Sequence, residues 1–295
     1  GDVLGVRRRL EEVEVSVLGA TDERGSTVLH LAAAKRHPTS ILIVELLVDA
    51  MEEEQISVRS KKGETVIHKL LTEAYGSQLY HGLTHQQWLQ GCREASTAIV
   101  TNMAEDAVFY RRGKGAPPVL RELASRLQLA ALHVVLEKYA DRLYCEQDVR
   151  GILFDKCTFA QPWASDDEGE EATLHRLLDI ASDESLQDSM LAFRIAYRGF
   201  PISVVLRVLE IQQSPPVVDP EQPGYNVLHG IAVSGKEELL DAVMPYVTPA
   251  HMQQKTIHEG WTARQIALDK HKRTGNDTSL RIAARLQTFT KSAVE

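Results

Sequence analysis

The chain has 295 residues, more than one compact domain usually contains, which predicts two domains or one elongated array. Apolar residues make up 43% and charged residues 25%, a balance that excludes an intrinsically disordered chain. The net charge of −8 argues against a general nucleic-acid binder, because such proteins gain affinity from concentrated Lys and Arg.

The apolar stretches and the cysteines indicate the compartment. No uninterrupted apolar stretch approaches the roughly 18–20 residues that span a bilayer, and the first residues lack the apolar core of a secretory signal. The three cysteines, Cys92, Cys145 and Cys157, cannot all pair with one another. We therefore expect an intracellular protein, cytoplasmic or nuclear, without a membrane-spanning segment.

A short motif recurs along the chain. Residues 25–33 read Gly-Ser-Thr-Val-Leu-His-Leu-Ala-Ala, and the pattern returns at 63–71, at 224–232 and more loosely at 260–267. Residues 173–178 keep only the Leu-His pair, with Thr one residue closer to it. Self-similarity at a spacing of this size is typical of repeat architectures.

Each position of the motif has a physical role. The glycine tolerates the positive φ that a tight turn requires. Two residues later stands Thr27, Thr65, Asn226 or Thr262, and each is a preferred N-cap for a helix. The histidines recur in the same place, and catalysis usually needs one asymmetric constellation. We therefore predict that His30, His68, His175 and His229 bond backbone or hydroxyl groups near the turns.

A more apolar segment follows the short helix, at 41–48 in the first unit and at 239–244 in the late one. Such runs are apolar on more than one face, which predicts helices covered on two sides. Sustained period-two alternation is almost absent, so we expect few strands. The fold class is therefore all-α, built from stacked helical pairs.

On these residues the chain resembles the ankyrin-repeat family, whose unit carries Gly-x-Thr-Pro-Leu-His-x-Ala-Ala over about 33 residues. In these four copies Val28, Val66, Val227 and Ala263 replace the proline. The resemblance implies one solenoid over 1–295, with clear repeats at 1–71 and 224–290 and degenerate repeats and insertions at 72–223. It implies about six or seven units, a start in mid-repeat and membership of a longer chain.

The resemblance also implies a function. Stacked repeats offer a concave face and turn tips that bind other proteins, so we expect a non-catalytic interaction module without cofactors. Tyr225 and Trp261 are the preferred anchors, because aromatic side chains dominate binding hot spots. The predicted solvent-directed binding positions are Glu23, Arg24, Ser26, Lys61, Lys62, Glu64, Tyr225, Glu259 and Trp261.

An enzyme is the alternative. His81 and His85 lie four residues apart and would share a face if their segment is helical. Together with Cys92 they would supply three zinc ligands, or a thiolate with an imidazole base. Gly82 and Thr84 weaken the helix prediction, and no second Cys-x-x-Cys half-site completes a metal geometry. We therefore expect no metal and no catalytic residue.

Overall fold

The predicted helices are present. In the computed structural model, all regular secondary structure of the described residues is helical, which confirms the all-α class. The structure describes residues 2–35, 37–75, 85–110, 118–145, 157, 168–181, 186, 190–212 and 224–292. The chain divides into two compact units, Gly1–Cys157 and Thr158–Glu295. Within the described ranges no helix is both long and apolar enough to span a membrane.

The first unit consists of short helices joined by tight turns. Their bounds are α1 Val3–Glu12, α2 Val15–Leu18, α3 Val28–Ala33, α4 Pro38–Ala50, α5 Glu53–Ile56, α6 Val66–Tyr75, α7 His85–Thr101, α8 Glu105–Val108, α9 Pro118–Ser125, α10 Leu129–Lys138 and α11 Ala140–Cys145. Consecutive helices pair as hairpins, α3 with α4, α6 with α7 and α9 with α10.

The hairpins of the first unit lie side by side. Their first helices form one row, in which α3 packs on α6 and α6 packs on α9. Their second helices form another row, α1, α4, α7 and α10. The apolar side chains between the rows are fully buried, as Leu29, Leu47, Ile67 and Ile99 illustrate. Burial of such side chains is the main force that holds the rows together.

One element of this unit differs from expectation. For the unit that starts at Gly63, the sequence predicts no clear second helix before about residues 95–107. In the structure this second helix is α7, which already begins at His85. Gly91 lies inside this helix, and a Cβ there would come within 2.6 Å of Cδ1 of Ile41 on α4. The glycine therefore serves close packing between α4 and α7 and does not break the helix.

The second unit repeats the hairpin arrangement. Its helices are α12 Glu168–Ile180, α13 Leu191–Arg198, α14 Ile202–Ile211, α15 Val227–Ser234, α16 Glu238–Val243, α17 Pro249–Gln253, α18 Ala263–Thr274 and α19 Asp277–Ser292. A 3-10 turn at Met244–Tyr246 follows α16. The first helices α13, α15 and α18 pack in one row, and α14 packs against α16.

Lysines of one hairpin bind the preceding hairpin in this unit. Lys236 Nζ donates a hydrogen bond to the carbonyl oxygen of Gly199, at the end of α13, over 2.5 Å. Lys270 Nζ donates in the same way to the carbonyl oxygen of Val233 in α15, also over 2.5 Å. Each ammonium group lies at the negative end of a helix dipole, where a cation is stabilising.

The fifth copy of the motif does not begin a helix. Thr173 and His175 lie inside α12, which starts at Glu168. Thr173 Oγ1 donates to the carbonyl oxygen of Gly169 one turn earlier, and His175 Nε2 lies 2.9 Å from Ser203 Oγ on α14. The histidine does bond a hydroxyl group, but the predicted turn at this position is wrong, because the threonine occupies a helix interior instead of an N-cap.

Candidate functional site

The first predicted turn is held by one carboxylate. Asp22 Oδ1 accepts hydrogen bonds from the backbone N–H groups of Arg24 and Ser26, each over 2.8 Å. The bond from Ser26 is the largest cause of the lowered pKa of Asp22. Glu23 and Arg24 are exposed, as predicted for a turn tip. The prediction that Ser26 points to solvent is wrong, because the chain turns inward there and only 8% of the residue is exposed.

The second turn repeats this backbone geometry beside the first. Ser60 N–H donates to the carbonyl oxygen of Glu64 over 2.9 Å, as Asp22 N–H does to Ser26 over 3.0 Å. Lys61 and Lys62 are exposed at its tip. Glu64 is half-buried, and an ion pair with Lys69 over 2.7 Å is the largest cause of its lowered pKa. That pairing leaves Glu64 less available to a ligand than the sequence predicts.

The two turns are joined by a backbone hydrogen bond. Lys61 N–H donates to the carbonyl oxygen of Arg24 over 2.9 Å. Gly25 has a φ of +75°, and a Cβ at this residue would lie only 2.9 Å from the backbone nitrogen of Lys61. Both the conformation and the close approach therefore require glycine. The result is a rigid pair of turns with four exposed charged side chains.

The recurring histidines cap the helices that follow the turns. Nδ1 of His30 lies 2.9 Å from Oγ1 of Thr27, and the same distance joins His68 to Thr65. In the second unit His229 Nδ1 lies 3.0 Å from Oδ1 of its N-cap, Asn226. These contacts confirm the predicted structural role of the three histidines near the turns. The N-cap threonine with histidine three residues later forms a reciprocal capping box, like the Ser/Thr-x-x-Glu/Gln box.

The histidines also connect neighbouring repeats. Nε2 of His30 lies 3.3 Å from the carbonyl oxygen of Glu64 in the next turn. Burial lowers the pKa values of His30 and His68, and it lowers the pKa of His229 to about 4. The backbone carbonyl groups of Trp261 and Gln254 oppose the effect at His229 without reversing it. At neutral pH the His229 ring is therefore uncharged.

Sequence reasoning missed one further capping box. Thr248 Oγ1 lies 2.6 Å from Nδ1 of His251. Thr248 is the N-cap of α17, which begins with Pro249. The signal was present as Thr-Pro-Ala-His, which keeps the consensus proline that the four recognised copies lack. It is hard to detect because Tyr246 stands where the glycine is expected and Ala250 replaces the leucine before the histidine.

The second unit has a corresponding turn at residues 256–261. Thr256 N–H donates to the carbonyl oxygen of Trp261 over 2.9 Å, and Trp261 N–H donates back to Thr256 Oγ1 over 3.1 Å. Glu259 is exposed, whereas Trp261 is half-buried. Gly224 N–H donates to the carbonyl oxygen of Lys255 over 2.8 Å, which joins this turn to the segment that carries Tyr225.

Tyr225 belongs to a larger aromatic group. Its ring packs on Phe193 with the centroids 4.8 Å apart, and Phe193 packs on Tyr197 with the centroids 5.6 Å apart. We call these three residues the aromatic strip. Tyr197 is 40% exposed, and Phe193 and Tyr225 are half-buried. Partial burial raises the pKa of Tyr225, and the nearby carboxylate of Glu259 adds to the effect.

Two members of the aromatic strip were not predicted. Phe193 and Tyr197 are four residues apart on α13, the spacing that places two side chains on one helix face. That spacing was a usable signal, but only the fold brings Tyr225 from another hairpin against it.

The alternative catalytic or metal site receives little support. His81 and the side chain of His85 lie outside the described residues. Cys92 is buried, and burial raises the pKa of its thiol to about 12. A thiolate nucleophile at Cys92 is therefore disfavoured. Over the ranges that the structure covers, no three His, Cys, Asp or Glu residues are grouped to hold a metal ion.

The nine predicted binding positions thus fall into two sets. Six belong to the paired turns of the first unit, and Tyr225, Glu259 and Trp261 belong to the second unit. Comparisons of the chain with models of protein families, with curated proteins and with solved structures found no match.

Proposed function

We propose that the chain is a non-catalytic protein–protein interaction module with an ankyrin-type solenoid fold. The observation that carries the proposal is the backbone hydrogen bond from Lys61 to Arg24, which fixes two adjacent turns as one edge. The capping boxes and glycine turns hold the scaffold, and the side chains of the turn tips are exposed on it. Repeat proteins bind through exposed side chains on such a scaffold.

The first unit offers a polar edge. Glu23, Arg24, Lys61 and Lys62 are exposed on turns whose backbone is already ordered. Binding there costs little loop entropy, because the turns are preorganised. Charged side chains at such an edge orient the partner and speed its association more than they increase the binding affinity.

The second unit separately offers an apolar anchor. Tyr and Trp side chains bury large areas and are enriched at binding hot spots. The aromatic strip offers three adjoining rings, with Tyr197 the most accessible. Trp261 lies at the turn beside Tyr225 and is half-buried. We infer that the strip contributes more binding energy than Trp261 alone.

The proposed partner is another protein in a reducing, intracellular compartment. Cys92 and Cys157 are both buried free thiols, which is consistent with such a setting.

A peptide selection tests the proposed function. A random peptide library displayed on phage is selected on the whole chain, and the enriched peptides are synthesised and titrated by calorimetry. Replacement of Tyr225 by Ala should weaken their binding at least about tenfold, the usual cost of losing an anchor. Trp261→Ala should weaken it less.

The matched control is Leu280→Ala on α19, because Leu280 is 43% exposed and lies outside the aromatic strip. Its affinity should stay within about twofold of the wild-type value. Circular dichroism of each variant checks that the fold is kept. If folded Tyr225→Ala and Trp261→Ala bind the peptides as the wild type does, the assignment of the surface is refuted.

A further inference from the structure

Glu259 differs from other surface carboxylates of the second unit. Among the described residues, the arginines of this unit form ion pairs with Asp179, Glu210, Glu237, Asp241 and Asp269. Glu259 is exposed and takes part in none of these ion pairs. Its Oε2 accepts a hydrogen bond from Thr256 Oγ1 over 3.2 Å, which holds the carboxylate in place on its turn. A carboxylate in this position can form a charge-assisted hydrogen bond to a cation of a partner.

The fold places this carboxylate beside one end of the aromatic strip. The hydrogen bond from Gly224 N–H to the carbonyl oxygen of Lys255 ties the turn to the segment that carries Tyr225. Burial is the larger cause of the raised pKa of Tyr225, and the charge of Glu259 adds to it. Tyr225 is therefore the ring of the strip that lies near a negative charge.

The rings themselves also favour a cation. The plane of Phe193 is tilted by 34° from that of Tyr225 and by 37° from that of Tyr197. The faces of such rings carry negative partial charge and attract cations. The chain already has one such contact, because Arg198 Cζ lies 5.3 Å from the centroid of Tyr197. That arginine uses the end of the strip opposite to Tyr225, and within the described residues no cation lies over Tyr225.

We infer that the partner places an arginine side chain at this end of the strip, with its guanidinium group stacked on Tyr225 and hydrogen-bonded to Glu259. The inference rests on the proposed function and specifies what the partner protein carries. A guanidinium group is planar, stacks on aromatic faces and offers paired N–H donors to a carboxylate, whereas the ammonium group of lysine is a compact point charge. We therefore expect arginine to be preferred over lysine.

Three synthetic peptide mixtures test the inference. Each is attached to beads and has random residues on both sides of one fixed central residue, which is arginine, lysine or citrulline, a neutral residue of nearly the same shape as arginine. The fluorescently labelled whole chain is added at physiological ionic strength, where a Debye length of about 8 Å limits the attraction to nearby charges. The arginine mixture should retain about fivefold more wild-type protein than the citrulline mixture and about twofold more than the lysine mixture.

Two matched variants locate the preference. Glu259→Gln should reduce the ratio of arginine to citrulline from about fivefold to less than about twofold, because the charged acceptor is lost. Glu238→Gln removes the same charge at an exposed position of α16 outside the turn and should leave the ratio unchanged. The chain has a net charge of −8, and a general attraction for cations would change equally in both variants. Circular dichroism checks that both variants are folded.

The outcomes separate this inference from the proposed function. Equal retention by the arginine and citrulline mixtures, equal retention by the arginine and lysine mixtures, or an equal loss of the ratio in both glutamate variants would overturn it. If all three mixtures retain the wild type equally but lose Tyr225→Ala, the proposed function stands without the arginine. Retention that does not depend on Tyr225 would count against the proposed function as well.

Discussion

The uncharged state of His229 makes a prediction about acid stability. The ring is buried, with its Nδ1 in the capping box of Asn226. We consider the substitution His229→Gln, which removes the titratable group but can keep the box. The chain provides the precedent, because Gln265 Oε1 accepts from the backbone N–H of Thr262 over 2.8 Å in the same kind of box.

The magnitude follows from the two pKa values of His229. Burial lowers the pKa from 6.5 to about 4 in the folded chain, while the unfolded chain keeps the ordinary value. Protons therefore bind the unfolded chain preferentially, and the contribution is complete above about pH 6.5 and is lost as the pH falls towards 4. With about 1.4 kcal/mol for each pH unit, the wild type loses about 3 kcal/mol over this window through His229.

Urea unfolding followed by circular dichroism measures this loss, at several pH values between about 7 and about 4.5. The free energy of unfolding of His229→Gln should fall less steeply than that of the wild type, by about 2–3 kcal/mol over the range. Part of the acid sensitivity should remain, because burial also lowers the pKa values of His30 and His68. Hydrogen exchange of α15 would assign the change to this helix.

Parallel curves for the two proteins would refute the reasoning. They would show that His229 has the same pKa in the folded and unfolded chains, and hence that the ring is accessible to protons without unfolding. A large loss of stability of the variant at neutral pH would instead show that Gln does not keep the box at this position.

Three further predictions concern the scaffold. Gly25→Ala should destabilise the chain by about 1–3 kcal/mol, and more than Gly260→Ala does. Both glycines have positive φ, but only at Gly25 would the added Cβ lie 2.9 Å from a backbone nitrogen, that of Lys61. Urea unfolding compares the two variants, and equal losses of stability would contradict the close approach. Lys270→Met should cost about 1–2 kcal/mol through the lost hydrogen bond to the preceding hairpin, measured in the same way, and an unchanged midpoint would count against the contact. Cys92 should react with iodoacetamide in urea but hardly in native buffer, since its thiol is buried with a pKa of about 12, and rapid native labelling would reopen the enzyme alternative.

The repeated turns could be predicted because their determinants are local. A glycine, an N-cap residue two positions later and a histidine three positions after that define the turn and the first helical turn by themselves. The structure confirms the N-cap at Thr27, Asn226 and Thr262. Gln265 takes the place of the histidine in the last of these boxes, and Gly224, before Asn226, is not among the described glycines with positive φ. A shift of one residue along a turn decides whether a side chain is exposed at the tip or buried beside it. For that reason the sequence does not show that Ser26 is buried.

The start of helix α7 is hard to predict from the sequence because the effect of a glycine such as Gly91 depends on its surroundings. In isolation Gly91 predicts a helix break, since glycine is among the poorest helix formers. Against Ile41 the absence of a side chain permits close packing of two helices, and tertiary contacts outweigh the propensity. The sequence alone does not show which of the two roles applies.

The same reasoning connects the scaffold to the candidate binding surface. Gly230 lies in α15, and a Cβ there would come within 2.7 Å of the carbonyl oxygen of Phe193 and 2.8 Å of the backbone nitrogen of Tyr197. This close approach of α13 and α15 is what allows Phe193 to contact Tyr225 from the next hairpin. The aromatic strip therefore depends on a buried residue that can touch no partner. The recurring motif of the sequence points to Tyr225, but only the packing at Gly230 explains why its ring meets Phe193.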